Sequence, residues 1–424
     1  MPPLSETFWH LPGPNPILTP GPSGAWDDHV IEACDVLEDR GTYYLYYHGT
    51  PTDATRWSPA GYRIGVATAR HPLGPFTRVG TEPMVDLGPP SAWDGAGTAC
   101  AFVLKEGLDR YLMWYSGQGA GWGIGLATAS SPLGPWTKHP ANPVLPGAGY
   151  VGSVVRVDGG YRLYAEHPIG STGPDYGPLS LATAPAPEGP WTMTGPVLTP
   201  GGWGAWDDGG YSEAEVVLHE GTYHVFYGGA KLLQPRLDTR ESLGYAWSED
   251  GRHFTRHPRN PVVARRNCPN TAAMAEVHTL IEPPFVYCYH TLRRVAPPRP
   301  VYEELGVQVL VMQRPACLTM PVWSCDVLEP DGELPAAECP PLSVGLARST
   351  ALTVTGDGGQ LMVEVRASVD GVQAGPCERV TLTLEPEGSA TIPLAVPTAY
   401  AKVGLTNTGL DPCRDLRAVL TVKL

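Results

Sequence analysis

Short apolar runs punctuated by glycine and proline fill this chain, and no long stretch carries the apolar spacing of a helix. The runs recur in a fixed order. An extended motif reads Asn15-Pro-Ile-Leu18, then Glu82-Pro-Met-Val85, Asn142-Pro-Val-Leu145, Gly195-Pro-Val-Leu198 and Asn260-Pro-Val-Val263. Each is followed by a run dense in aromatics: TYYLYYHG, RYLMWYSG, GYRLYAEH, TYHVFYGG and PFVYCYHT. A small-residue run comes next: IGVATA from Ile64, IGLATA from Ile124, LSLATA from Leu179, LGYAWS from Leu243 and LGVQVL from Leu305. Four copies close on a turn and an aromatic: GPFT at Gly74, GPWT at Gly134, GPWT at Gly189 and GRHFT at Gly251.

Five copies of a four-strand unit predict an all-β fold, a five-bladed β-propeller over residues 1–315. A lone blade cannot bury its own faces, so the ring must close to be stable. The fifth copy lacks its closing strand. Phe8-Trp9-His10-Leu11, directly before the first Asn-Pro motif, has the place and character to supply it. After Pro315 the repeat stops. Period-two alternation in QLMVEVRASV, RVTLTLEPEG, AKVGLTNTG and RAVLTVKL predicts a small antiparallel β-sandwich over 316–424, expected to be a packing module.

Composition narrows the function. The 424 residues are 42% hydrophobic, enough for a buried core, and Gly 50 and Pro 47 mark many turns. A formal net charge of −14 argues against nucleic acid as a partner. MPPLSETFWHL has neither the charged nor the apolar region of a secretory signal, and no run is long enough to span a bilayer. Nine cysteines without regular spacing fit free thiols, so a cytoplasmic protein without membrane partners is expected. Cys268, Cys288, Cys317, Cys325 and Cys339 lack the paired spacing of a zinc site.

The repeat separates scaffold from chemistry. Trp26-Asp27 recurs as Trp93-Asp94 and Trp206-Asp207, which favours a structural step: a tryptophan wedge and a loop-capping aspartate. Asp28 and Asp208 follow in two of the copies, where the other has Gly95. On the innermost strands Asp35 aligns with Phe102, Ser153, Glu215 and Glu276, and Ala33 aligns with Glu213 and Met274. Acids present in some blades only are not demanded by the fold. The second strands return to the same mouth, which brings His48, Glu166 and His290 near them. Several acids crowded into one cavity acquire unequal proton affinities, which is what glycoside hydrolysis uses. Trp57, Trp122 and Trp203 on connecting loops are candidates to stack on sugar faces.

GTYYLYYHG with RIGVATARHPLGPFT resembles the blade repeat of the five-bladed propeller glycosidases, the superfamily of families 32, 43, 62, 68, 117 and 130. Glu32-Ala-Cys-Asp-Val36 is similar to the A-P-D-V inner strand of family 43, Glu213-Ala-Glu-Val216 to its acid segment, and Tyr287-Cys-Tyr-His290 to its last blade. The family-43 base position is Ala33 here, so Asp27, Asp28 or Asp35 would have to substitute, and the family-32 signatures are absent. The resemblance implies an exo-acting hydrolase of furanosidic or related short oligosaccharides. Glu213 or Glu215 would be the general acid, and Asp35 or Asp28 the base or nucleophile. Asp94 or Glu276 would tune them, and Asp27, Asp208, Glu166, His48, His290 and Trp122 would bind substrate. No cofactor is required, although the resemblance implies that a structural calcium is compatible. Two alternatives remain open: a phosphorylase resembling family 130, with Arg265, Arg266, Arg293 and Arg294 as an anion pocket, and a sugar-binding propeller without catalysis. Oligomeric state is not legible.

Overall fold

The computed structural model describes residues 8–10, 15–52, 61–166, 177–211, 214–230, 242–263, 273–282, 285–296, 301–313, 318–339, 342–343, 349–368, 377–394 and 400–423. All regular structure among them is β. Five consecutive antiparallel sheets are built as propeller blades. Blade 1 runs outward through Val30–Asp39, Thr42–Thr50, Arg63–Ala69 and Thr77–Arg78. Blade 2 starts at Gly97–Gly107, Arg110–Gln118 and Trp122–Ala129, and blade 3 at Val151–Val157 and Gly160–Glu166. Blade 4 is built on Val216–His219, Thr222–Ala230 and Ser242–Ser248. In blade 5, Ala273–Glu282, Phe285–Ala296 and Val301–Gln313 are joined by Phe8–His10, which pairs antiparallel with the last of them. Trp9 meets Phe226 of blade 4 edge to face at 5.5 Å, so it stands where other blades place the aromatic of their closing turn.

Each repeated residue has a physical task. In the Asn-Pro motif the Asn side chain imitates a strand. Asn142 accepts from the Leu126 amide at 2.8 Å and donates to the Leu126 carbonyl at 3.0 Å. Asn260 does the same on Tyr245, and Asn15 on Val309. The tryptophan of each Trp-Asp step packs over a second-strand tyrosine: Trp26 on Tyr47, Trp93 on Tyr115 and Trp206 on Tyr227, with centroids 5.6–5.7 Å apart. Glycine in the third strand makes room for it. A Cβ on Gly125 would lie 2.8 Å from the Trp93 ring, which is why the small-residue runs of the three blades with a Trp-Asp step open on Ile-Gly or Leu-Gly.

The aspartate of the same step is buried and ion-paired. Asp27 accepts from the Tyr47 hydroxyl (2.9 Å) and Arg78 (2.7 Å), and Asp94 from the Tyr115 hydroxyl (3.2 Å) and Lys138 (2.7 Å). Asp207 accepts from the Tyr211 hydroxyl (3.2 Å) and lies 3.6 Å from Arg256. Each cation comes from the outermost strand, so the aspartate ties the loop to the rim of its own blade.

The blades are also tied to one another. The innermost strand of a blade is a sheet edge, and its outward amides have no strand partner. A side chain from the preceding blade accepts one at every junction. Asp35 accepts from Val103 (2.8 Å), Ser116 from Val151 (2.9 Å), Ser153 from Val216 (2.9 Å), Glu215 from Thr279 (2.6 Å) and Thr291 from Ala33 (3.1 Å). A second set lies farther out. Tyr46, Trp114, Tyr164 and Tyr289 each donate to a turn carbonyl of the following blade, at Pro132, Pro187, Gly251 and Pro72.

The expected boundary at 315/316 falls in 314–317, outside the described residues. Beyond it are two further antiparallel sheets. One is Leu318–Leu328, Cys413–Lys423, Ser349–Asp357 and Gly388–Leu394; the other is Glu333–Leu334, Tyr400–Asn407, Gly359–Ser368 and Cys377–Leu384, with Leu342–Ser343 alongside. Leu352, Leu416 and Leu420 of the first and Leu361, Val403 and Leu405 of the second belong to one core, which continues into blades 1 and 5. Trp323 donates to the Val403 carbonyl at 2.7 Å, and His71 of blade 1 donates to the Pro321 carbonyl.

Three outcomes follow for stability. Deleting Phe8–His10 should lower the thermal midpoint by roughly 10 °C, because blade 5 then presents a bare edge; calorimetry that shows an unchanged midpoint would refute the closure. Asp94→Ala should cost about 3 kcal/mol in urea unfolding, since it strands the Lys138 cation and the Tyr115 hydroxyl. Asp28→Ala, at a half-exposed loop, should cost about 1 kcal/mol or less.

Candidate active site

The inner strands do not run straight past the axis. Four of the five have a described bulge near the start, between Ala33 and Asp35, Ala99 and Phe102, Val151 and Ser153, and Ala275 and His278. Cys100 and Glu276 occupy two of these bulges with φ of 50° and 48°, a left-handed conformation that costs a non-glycine residue about 1 kcal/mol. In blade 5 Thr279 stands opposite Cys288, as Asp35 stands opposite Tyr46 in blade 1, so Glu276 lies nearer the strand start than its alignment with Asp35 suggests.

Around these bulges a chain of buried ionisable groups crosses from blade 4 through blade 5 to blade 1. Asp35 is 3% exposed and Glu215 is 7% exposed. Burial pushes the Asp35 carboxyl up to about 7, against the amides of Val103 and Val36, which favour the anion. Burial also raises Glu215 well above the ordinary range, and the negative charge of Asp35 raises it further. The two acids therefore compete for one proton near neutrality. Next to Glu215, His278 Nδ1 lies 3.9 Å from Oε2. Burial pushes the His278 imidazole down to about 3, and any proton taken up by nearby His48 would push the same way.

His48 ends the chain. Its Nε2 is 2.6 Å from Glu32 Oε2, directly across the first two strands of blade 1, and its Nδ1 accepts from the Cys100 amide at 3.2 Å with Cys34 Sγ 3.0 Å away. The Cys100 amide requires a lone pair on Nδ1, so the geometry selects the neutral tautomer with its proton on Nε2, shared with Glu32. Burial opposes a second proton while Cys34 and Glu32 attract it strongly enough to raise the ring's affinity well above normal. Taking that proton would set N–H against N–H at Cys100.

The mouth on the other side is aromatic. Tyr62, Trp122 and Tyr150, with Ser116 and Gln118, line a narrow cleft of only about 10 Å³. Tyr62 meets the His48 ring edge-on at 4.5 Å, and Trp122 meets Tyr150 at 5.9 Å, so the cleft adjoins the ionisable chain. Glu166 is buried beside it, its amide donating to the Tyr150 carbonyl at 2.8 Å.

The structure thus brings together Asp35, Glu215 and His48, with Trp122 and Glu166 at the adjoining cleft. His290 is buried on the second strand of blade 5, its Nδ1 3.1 Å from the Thr291 carbonyl, and burial pushes it down to about 4. Other candidates stand elsewhere. Asp27 and Asp94 are held in the Trp-Asp ties described above, not at the axis. Asp28 accepts from the Gly24 amide (2.7 Å) and from the amide and hydroxyl of Thr52, bonds that hold its carboxyl below the usual range. Asp208 accepts from Gly204 in the same way, so both are loop staples. Trp203 is 89% exposed. Glu213, Trp57, Arg265 and Arg266 lie outside the described residues, as do the side chains of Arg293 and Arg294. Among the described residues no group of three or more His, Cys, Asp or Glu is placed to hold a metal ion, so they offer no such site for a calcium. Sequence reading passed over Glu32, Cys34 and His278. The period-two face shared by Glu32 and Cys34, and the pairing of Glu32 with His48, were the available signal.

No known family profile matches the chain. Two uncharacterized proteins of Mycobacterium tuberculosis, MT1551 (strain CDC 1551 / Oshkosh) and Rv1502 (strain ATCC 25618 / H37Rv), are each 34% identical over 110 residues, which is 26% of this chain and 34% of theirs. The chain therefore matches about a third of the length of those relatives. Solved structures match far more of it. A glycosyl hydrolase from Bacteroides ovatus aligns with a TM-score of 0.56 at 15% identity, over 73% of this chain and 95% of its own. A structure from the GH130 family of mannoside phosphorylases, described as containing glycoside hydrolases that target β-1,2 mannosidic linkages in Candida mannan, gives 0.55 at 15% identity over the same shares. A thermostable family-43 glycoside hydrolase gives 0.50 at 18% identity, over 72% of this chain and 92% of its own. The fold of this chain is that of the five-bladed propeller glycoside hydrolases and phosphorylases.

Proposed function

We propose that the protein cleaves glycosidic bonds in short oligosaccharides, as an exo-acting hydrolase of furanosidic or related residues. One observation carries the reading: two of the five inner junctions use a carboxyl where hydroxyls do the same tying at the other three. An edge amide needs only an acceptor, so the fold has no need of Asp35 or Glu215 as acids. An acid buried without need is costly unless its proton is used. Glu215, raised by burial and by the charge of Asp35, is the general acid in this reading, and Asp35, which two amides favour as the anion, the base or nucleophile. Glu215 gives Oε2 to the Thr279 amide, and Asp35 accepts from the amides of Val103 and Val36. In this reading Trp122 and Tyr62, which line the cleft next to His48, are the ring faces on which a terminal sugar would stack. We read the sheets of 318–423 as a sandwich that braces blades 1 and 5, and the protein as cytoplasmic.

Turnover of a panel of nitrophenyl glycosides, with and without phosphate, tests the reading. Release without phosphate supports the hydrolase. Strict phosphate dependence moves the assignment to a phosphorylase, and binding without release to a sugar-binding propeller. Asp35→Asn and Glu215→Gln keep a carbonyl oxygen for the Val103 and Thr279 amides, so both should fold while kcat falls by about 10²–10⁴; wild-type turnover in both would sink the assignment.

The pair also sets a pH dependence of stability. A carboxyl whose folded pKa is raised binds more protons folded than unfolded between the two values. Its contribution is therefore lost as pH rises, for Asp35 from about 3.8 to about 7. Urea midpoints of the wild type should carry that downward component across this window, and Asp35→Asn should remove it. An Asp35→Asn profile parallel to the wild type would contradict the raised carboxyl.

A further inference from the structure

We propose that His278 is a positioning residue that keeps the proton shared by Asp35 and Glu215 on Glu215; this rests on the reading of that pair given above. His278 is 1% exposed, and its Nδ1 makes no hydrogen bond. The ring does hydrogen-bond the backbone of Ala33 in blade 1, and that bond falls to Nε2. A ring that donates from Nε2 to a carbonyl and remains neutral carries a lone pair on Nδ1. That lone pair stands 3.9 Å from Glu215 Oε2, a gap that a small rotation of the carboxyl closes.

The same oxygen already accepts from the amide of Thr279, the residue next to His278, at 2.6 Å. An ionised Oε2 satisfies the amide but turns charge toward a lone pair. A protonated Oε2 accepts from the amide and donates to Nδ1 at the same time. Blade 5 therefore presents adjacent donor and acceptor groups that a carboxylic acid matches and a carboxylate does not. Asp35, across the axis, is offered only amides, from Val103 and Val36, which favour its anion. The two environments push one proton in one direction. Other ionisable groups near Glu215 are Cys288, on the second strand of blade 5, and His48 with Glu32 behind His278. The buried Cys288 thiol is held neutral by its surroundings, so it does not compete for the proton.

Carboxyl ¹³C NMR titration of Asp- and Glu-labelled protein reads the pair without needing a substrate. His278→Gln retains a donor for Ala33 and removes the Nδ1 acceptor. The upper step of the pair should fall by about one pH unit, a tenfold loss of proton affinity. Where a glycoside is turned over, the alkaline limb of the rate profile should move down with it. A structural role alone would lower the melting temperature and leave the step in place; an unmoved or raised step overturns the proposal. Should His278→Gln not fold, imidazole ¹⁵N NMR of the wild type decides: an unprotonated His278 Nδ1 at pH 7 supports it, and a protonated one overturns it. A moved step without glycoside turnover upholds His278 and rejects the hydrolase; turnover with an unmoved step does the reverse.

Discussion

Everything at the centre of this protein depends on how the inner strand of each blade satisfies its edge. Amides that face the axis have neither a neighbouring strand nor free access to water, and each such group left unpaired costs about 1–3 kcal/mol. The ring answers with one side-chain acceptor per junction, drawn from Asp35, Ser116, Ser153, Glu215 and Thr291. Because each bond joins consecutive blades, closing the ring and solving the edge problem are the same event. The tyrosine and tryptophan donors farther out repeat the device on turn carbonyls.

That constraint explains where the chemistry can stand. Positions already committed to an acceptor tolerate a carboxyl in place of a hydroxyl, because either one takes the amide hydrogen bond. Two acids placed at such positions on blades 1 and 4 feel each other's charge, and burial together with mutual repulsion does the rest. The acids of the Trp-Asp steps are equally buried, but each has a cation and a tyrosine hydroxyl beside it. Those contacts tie each carboxyl to the loop and rim of its own blade. Two sets of buried acids thus differ in what surrounds them.

Much of the fold was legible because blades repeat. The Asn-Pro motif, the aromatic run and the glycine-led third strand recur because each meets a local need: a side chain that imitates a strand, a ring for the tryptophan, space for that ring. Asp35 and Glu215 were legible as acids at a repeat position that also holds Ser153 and Phe102. Glu32 and His278 were not. Glu32 takes its meaning from His48 across the strand pair, and His278 from Glu215 in another blade. Asp28 looked like chemistry because it sits beside a repeated acid, while its bonds to Gly24 and Thr52 are made within its own loop.

The sequence by itself determined the class of architecture, the number of blade repeats and which residues are scaffold, since periodicity and repetition record local requirements. Only the tertiary structure decided which acids meet, because the pairing register and the one-residue bulges of the inner strands set what reaches the axis. It also decided which of them keep a proton. That property belongs to burial and to neighbours brought in from other blades, and neither is written at the position of the acid itself.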